Sequence, residues 1–364
     1  MATDKTISLA SGYGNFLPPA VAVARAAASL QGGPLPVSVI EGLPALREAL
    51  ASCYPRQSVT PDQVVVTPGT KPALFALLKA VLRPGDEVLL PTPNWFGFWK
   101  LIEQAGGVVR PLPLASAGNY ALHPAALAAA LTPRTRVLLL SNPNNPTGRV
   151  YHRAELDAVL AVTRQHPDLF VLSDEIYNRI TFGTEAVPSL LEWADPNGQH
   201  LVVNGFSKSL ALIGWGIGYL VAPPKLAQAC AAWQFSTAAA VPVPSQLAAL
   251  ATTEAGPTIA HELRTQLAAN RTLLLTGLAS LADVHCLFPE ATYYAFPDFT
   301  AHLAPGLAPE AASAAFVSRL QAAGVSVVDG ATCGAPGFAR LSYAVPTDDL
   351  QEALQRLRTA LSNK

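Results

Sequence analysis

Lys208 stands in Asn204-Gly205-Phe206-Ser207-Lys208-Ser209, directly after an apolar run and ahead of another. A lysine so placed is at least partly desolvated. Desolvation lowers an amine pKa toward the range of a Schiff-base nucleophile. A lysine that snorkels to solvent from a strand end satisfies the same local pattern. Asp174 closes a second apolar run, Leu169-Phe170-Val171-Leu172-Ser173-Asp174. A carboxylate at the end of a buried strand sits where α/β sheets bind ligands, and it can pair with a protonated ring nitrogen. Tyr177, three residues on, can aim at the same ligand. An N-cap aspartate and a packed tyrosine fit these two positions equally when each is taken alone.

Four further stretches could contribute. In Asn142-Pro143-Asn144-Asn145-Pro146-Thr147-Gly148 the prolines and glycine fix a turn that holds the Asn145 amide in one orientation. Such an amide can donate to a phenolate oxygen and to a carboxylate. Val66-Thr67-Pro68-Gly69-Thr70-Lys71-Pro72 reads as strand, tight turn and helix start. Free amides at Gly69, Thr70 and Lys71, with the helix dipole, would make an anion site. Trp95 follows an apolar run and could stack on a flat ring, or fill a core or an interface. Arg340, in Ala339-Arg340-Leu341-Ser342-Tyr343, is a natural bidentate partner for a carboxylate, although a surface arginine reads the same way.

The elements that must position these residues alternate. Short apolar runs at 64–67, 87–90, 108–112, 137–140, 169–173, 201–204 and 217–221 read as strands covered on both faces. Helical patterns such as 72–82 and 153–165 lie between them, which argues for a mostly parallel α/β sheet. The charge-free stretch 226–253 contains Pro242 and Pro244 and reads as two covered helices rather than a membrane span. Beyond it the pattern changes. A long amphipathic helix over 258–281 leads to strand-like pieces near 293–296, 325–328 and 340–344, then a final helix over 348–361. The expected fold is therefore α/β. A three-layer large domain with a mostly parallel seven-stranded sheet spans 42–260. A smaller α+β domain is built from both chain ends, with 1–41 joining 261–364.

Half of the 364 residues are hydrophobic, 13% are charged and the net charge is -1. That allows a sizeable core and suggests neither nucleic acid nor an anionic membrane as partner. The N-terminus shows no cationic start followed by an apolar signal core. Cys53, Cys230, Cys286 and Cys333 lack zinc or redox spacing and fit reduced thiols of a cytosolic protein, and no metal is expected.

Taken in order, these pieces resemble the class I aminotransferases of the class I/II family, fold-type-I enzymes dependent on pyridoxal 5'-phosphate. The resemblance runs over nearly the whole chain, densely from Gly42-Leu43-Pro44-Ala45-Leu46-Arg47 to Arg340-Leu341-Ser342-Tyr343. Asn145-Pro146-Thr147-Gly148, Asp174-Glu175-Ile176-Tyr177 and Ser207-Lys208 carry it. It implies that Lys208 is the Schiff-base lysine and proton shuttle, with Ser207, the residue before it, in the cofactor site. It implies that Asp174 pairs with the pyridinium, and that Tyr177 and Asn145 hold the ring oxygen. Trp95 would stack on the ring. Gly69, Thr70 and Lys71 would cradle the phosphate. Arg340 would bind the substrate α-carboxylate, with Gly12 and Asn145 lining the substrate side. The implied activity moves an amino group between an α-amino acid and an α-keto acid, in a cytoplasmic homodimer. The same scaffold also hosts lyases such as carbon–sulfur β-eliminases, synthases, racemases and decarboxylases. A binding protein that kept the fold without catalysis is a third reading. Tyr13, Phe16 and Trp95 hint at an apolar or aromatic substrate side chain.

Three positions depart from the family pattern. Gly216 stands where an arginine usually grips the phosphate. Val37 stands where the partner subunit usually donates a tyrosine. Gly205 replaces a frequent serine. Lys71 is expected to replace part of the missing charge.

Overall fold

The computed structural model describes residues 6–31, 33–55 and 59–362. The reading of the first five residues for a targeting signal, and both outermost ends of the expected smaller domain, lie outside them.

All seven expected strands form, in one sheet. Its order is Val64–Thr67, Gly218–Val221, His200–Gly205, Phe170–Asp174, Thr135–Ser141, Glu87–Thr92, Val108–Pro113. Every neighbouring pair is parallel except the two made by Gly218–Val221, which runs against both of its neighbours. Side chains alternate across the sheet with the period of two that a pleated strand imposes. Val66, Val202, Val171 and Leu138 enter one core, and Val65, Val203, Leu172 and Leu139 enter the other. Helices Thr70–Val81, Gly97–Ala105 and Pro224–Thr237 cover the second face. Pro44–Ser52, Arg153–Thr163 and Val243–Glu254 cover the first. These are the three layers of the expected fold.

One strand differs from the expectation of two covered faces. Val108–Pro113 is exposed or half-exposed along its length. It is one of the two edge strands, and Arg110 and two prolines keep that edge from pairing further.

A third core forms from the chain ends. Helix Thr347–Ser362 buries Leu350, Leu354, Leu357 and Leu361, spaced as one helical face. These leucines pack with the long helix Gly256–Ala279, with Phe316 of Pro309–Ala322, and with Tyr293 and Tyr294. Each such leucine stabilises by about 1.5–3 kcal/mol relative to exposure. Strand Ile7–Ser8 joins this core by pairing with Val325–Ser326. Helix Ala20–Leu30 does not. Its buried Ala22 and Ala26 pack in the large-sheet core, where it lies against Val243–Glu254. The N-terminal segment therefore splits between the two cores. Small alanines, repeating every fourth residue, let one helix lie close on another there.

No described helix is long and apolar enough to cross a membrane. All four cysteines are free.

Candidate active site

The parallel strands and Val64–Thr67 all end at one side of the sheet. Thr67 leads to Gly69, Thr70 and Lys71. Thr92 leads to Trp95, Ser141 to Asn145, Asp174 to Tyr177, and Gly205 to Ser207 and Lys208. Gly12 comes from the N-terminal segment and Arg340 from strand Ala339–Ser342. All eleven line a single cleft of about 460 Å³. The carboxyl edge of a sheet is where such clefts form, because the connecting loops diverge there.

Lys208 Nζ donates to the Gly12 carbonyl at 2.5 Å and lies 3.8 Å from the centre of the Tyr13 ring. Burial, helped by the cations Arg340 and Lys71, brings its pKa down to about 7. A sizeable share of these amines is therefore neutral near pH 7. Burial also raises Asp174 to about 7, against the pull of the Ile176 amide and of Lys208. A buried carboxylate with no cation bonded to it is poised to receive one.

Arg340 is 2% exposed. Its Nη1 donates to Asn145 Oδ1 at 3.1 Å and its Nη2 to the Ala10 carbonyl at 2.8 Å, while Nε is buried without a partner. Because Asn145 accepts through Oδ1, its Nδ2 remains a donor for the cleft. Tyr177 shares a 2.8 Å hydrogen bond with Tyr294, and Tyr293 and Tyr294 both reach the Gly12 carbonyl. Sequence reasoning missed Tyr294, Tyr13 as a cap on Lys208, and Phe96. The doublet Tyr293-Tyr294 was legible only as a strand, since its contact with Gly12 joins residues some 280 positions apart.

The anion turn is narrower than expected. The Gly69 amide is not free, because it donates to Thr67 O at 2.7 Å. A γ-like turn uses it, so the Thr70 and Lys71 amides of the first helical turn remain. Lys71 Nζ lies over Trp95, 5.5 Å from the ring centre, and Trp95 packs edge-on against Phe98. Gly218 lets its strand close on this turn: a Cβ there would sit 2.8 Å from Gly69 C and Thr70 N. Gly205, the position of the frequent serine, backs onto Thr70, whose methyl would lie 2.8 Å from an added Cβ. Gly216 lines the cleft with φ +60°, and a Cβ there would meet nothing within 4 Å. Val37 is 96% exposed. Glu175, beside Asp174, is absent from the cleft wall. Its Oε1 accepts from Leu190 N at 2.8 Å and Ser189 Oγ at 3.1 Å, and burial raises its pKa to about 8.

The family model for aminotransferase class I and II matches residues 4–357. The chain belongs to this family. Among class I and II aminotransferases, it is similar to the aspartate/prephenate aminotransferase of Thermus thermophilus, 34% identical over 98% of this chain and 91% of that one. It is similar also to the aspartate aminotransferase of Geobacillus stearothermophilus, 30% identical over 98% and 91%. The solved structure titled aspartate aminotransferase from Thermus thermophilus with maleate matches with a TM-score of 0.91 and 33% identity, over 98% of this chain and 92% of that one.

Aminotransferases of this family use pyridoxal phosphate, and this donor set fits that group at its ring end. The cleft offers a partly neutral amine for an aldehyde, a buried carboxylate for a ring nitrogen, and a hydroxyl and an amide for a ring oxygen. The phosphate end is leaner. For a phosphate the cleft offers the Thr70 and Lys71 amides at a helix start and the Lys71 side chain, and Gly216 adds no charge.

Proposed function

We propose that Lys208 carries pyridoxal phosphate and moves the proton in an amino-group transfer from an α-amino acid to an α-keto acid. The observation that supports this most is the Lys208 amine, brought to a pKa of about 7 in the same cleft as Asp174 and Arg340. When bound, the cofactor supplies an aldehyde carbon that exchanges amines and a ring that takes up electrons from the α-carbon.

The chain's own groups do the rest. Arg340 binds the substrate carboxylate; its unpartnered Nε and the Nη2 now on Ala10 provide a fork. Fixing the carboxylate fixes which bond at the α-carbon faces Lys208, and proton removal is favoured by that alignment. Neutral Lys208 accepts the α-proton and returns it on the other side of the exchange. Ionised Asp174 keeps the ring nitrogen protonated. Tyr177 and Asn145 hold the ring oxygen, and Trp95 covers the ring. Gly12 lines the substrate side, and Ser207 sits beside the lysine.

Aspartate is the donor to test first, since the relatives carry that name. A second copy of the chain is proposed to cover the exposed apolar residues Leu35, Val37 and Val39, and four free thiols suit the cytoplasm. Purified protein given the cofactor should absorb in the visible, and borohydride should fix the cofactor's mass on Lys208. Turnover should require a keto acid. Ammonia release without one would show a lyase instead.

The phosphate end carries its own test. A charged hydrogen bond contributes about 1.5–3 kcal/mol, which is about tenfold to a hundredfold in affinity. Gly216→Arg has room for its side chain, against a backbone cost of about 1–2 kcal/mol at positive φ. Titration of the variant with cofactor should show tighter binding. Unchanged affinity would mean that position 216 does not face the phosphate.

A further inference from the structure

We infer that Tyr294 is a positioning residue: its hydroxyl donates to Tyr177 and so keeps the proton of Tyr177 directed into the cleft. The inference rests on the role proposed above for Tyr177 at the ring oxygen. The two hydroxyls are 2.8 Å apart, and by distance alone either can donate. Lone pairs decide the direction. The Gly12 carbonyl already accepts from Lys208 Nζ at 2.5 Å and from the Tyr293 hydroxyl at 2.9 Å. That fills its two acceptor sites. The Tyr294 hydroxyl is 3.2 Å from the same oxygen, the longest of the three contacts. Its single proton therefore goes to Tyr177, and the proton of Tyr177 is left for the cleft that both residues line. With Lys208 turned away from Gly12 by the cofactor, the ring oxygen proposed as the partner of Tyr177 takes that residue's single proton, so the 2.8 Å contact is made only with Tyr294 as its donor.

The backbone supports a dedicated arrangement. Successive residues of an extended chain point to opposite faces. Tyr293 and Tyr294 nevertheless bring both hydroxyls to one carbonyl. Thr292, just before them, has φ +66°, a costly conformation for a β-branched residue. Its amide donates to Ile180 O at 2.9 Å, its carbonyl accepts from the Tyr343 hydroxyl at 2.9 Å, and its Oγ1 accepts from the Tyr294 amide at 3.2 Å. Strain held by three hydrogen bonds re-aims the pair. The Tyr294 ring also lies 4.3 Å from the Arg340 guanidinium carbon, so Tyr294→Phe keeps that contact and removes only the hydroxyl.

The test is a cycle of Tyr177→Phe, Tyr294→Phe and the double variant, each loaded with pyridoxal phosphate and titrated by visible absorbance against pH. Loss of a donor to the ring oxygen disfavours its charged form and raises the midpoint. Tyr294→Phe should raise it by about half a pH unit to one unit. The double variant should match Tyr177→Phe alone, because Tyr294 acts through Tyr177. An unmoved midpoint in Tyr294→Phe, or a fully additive shift in the double variant, overturns the inference. If Tyr177→Phe itself leaves the midpoint unmoved, the role of Tyr177 falls first and this inference with it.

Discussion

Lys208→Ala should abolish the visible absorbance of the loaded protein and lower turnover by roughly 10⁴-fold or more. The variant loses nucleophile and proton carrier at once, and the proton-carrier role alone contributes about 10²–10⁴-fold. Folding should survive, since the side chain's bonded partner is one loop carbonyl, that of Gly12. Circular dichroism and kcat on the same preparation check both statements. The wild-type amine adds a pH signature. The neutral amine is the reactive form, and its pKa is about 7 because the site is dry and shared with Arg340 and Lys71. Cofactor loading should therefore speed up about tenfold per unit as pH rises toward 7, then level off. An ordinary lysine would keep gaining to about pH 10. A variant with full turnover, or a loading rate still climbing at pH 9, would end the assignment of Lys208.

Asp174→Asn is the second large effect. The amide has the same shape but cannot hold a positive ring nitrogen. In a water-excluded site the loss of one preorganised charge partner costs about 10²–10³-fold in kcat. The covalent link should still form, because Lys208 remains. Mass spectrometry after borohydride should find the cofactor on Lys208 in Asp174→Asn and not in Lys208→Ala. In the free protein the Asp174 carboxyl is raised to about 7 by burial, so it is protonated increasingly below that pH. Loading by the wild type should weaken on that limb more than loading by Asp174→Asn. Equal kcat in variant and wild type would remove Asp174 from the chemistry.

Much of this was legible in the chain for a physical reason. Strands covered on both faces must be apolar throughout, so Val64–Thr67 and Phe170–Asp174 announced themselves, and ligand residues collect at their ends. Edge position was written in Arg110, Pro111 and Pro113, yet the apolar run at 108–112 reads as a covered strand until the strand order places it at the rim. Helix Ala20–Leu30 was assigned by its place in the chain, whereas its alanine face chose the large core. The Gly69 amide seemed available because a strand–glycine–helix pattern does not reveal that Thr67 takes it. Tyr294 stayed hidden because its role is a matter of hydroxyl distances to Tyr177 and Gly12, which no local spacing encodes.

The reversed strand Gly218–Val221 has a further bearing. It pairs with His200–Gly205 from Gly205↔Gly218 onward, so the chain between 206 and 217 turns back without crossing the sheet. Ser207, Lys208, Gly214 and Gly216 thus sit on one hairpin-like excursion over the cleft. Its two roots are tied by the ladder, and between them Phe206, Leu210, Ala211, Leu212 and Ile217 are buried in the large-sheet core. The lysine is thus moored on both flanks by apolar ballast, and a change that loosens those neighbours disturbs the aim of its amine together with the scaffold.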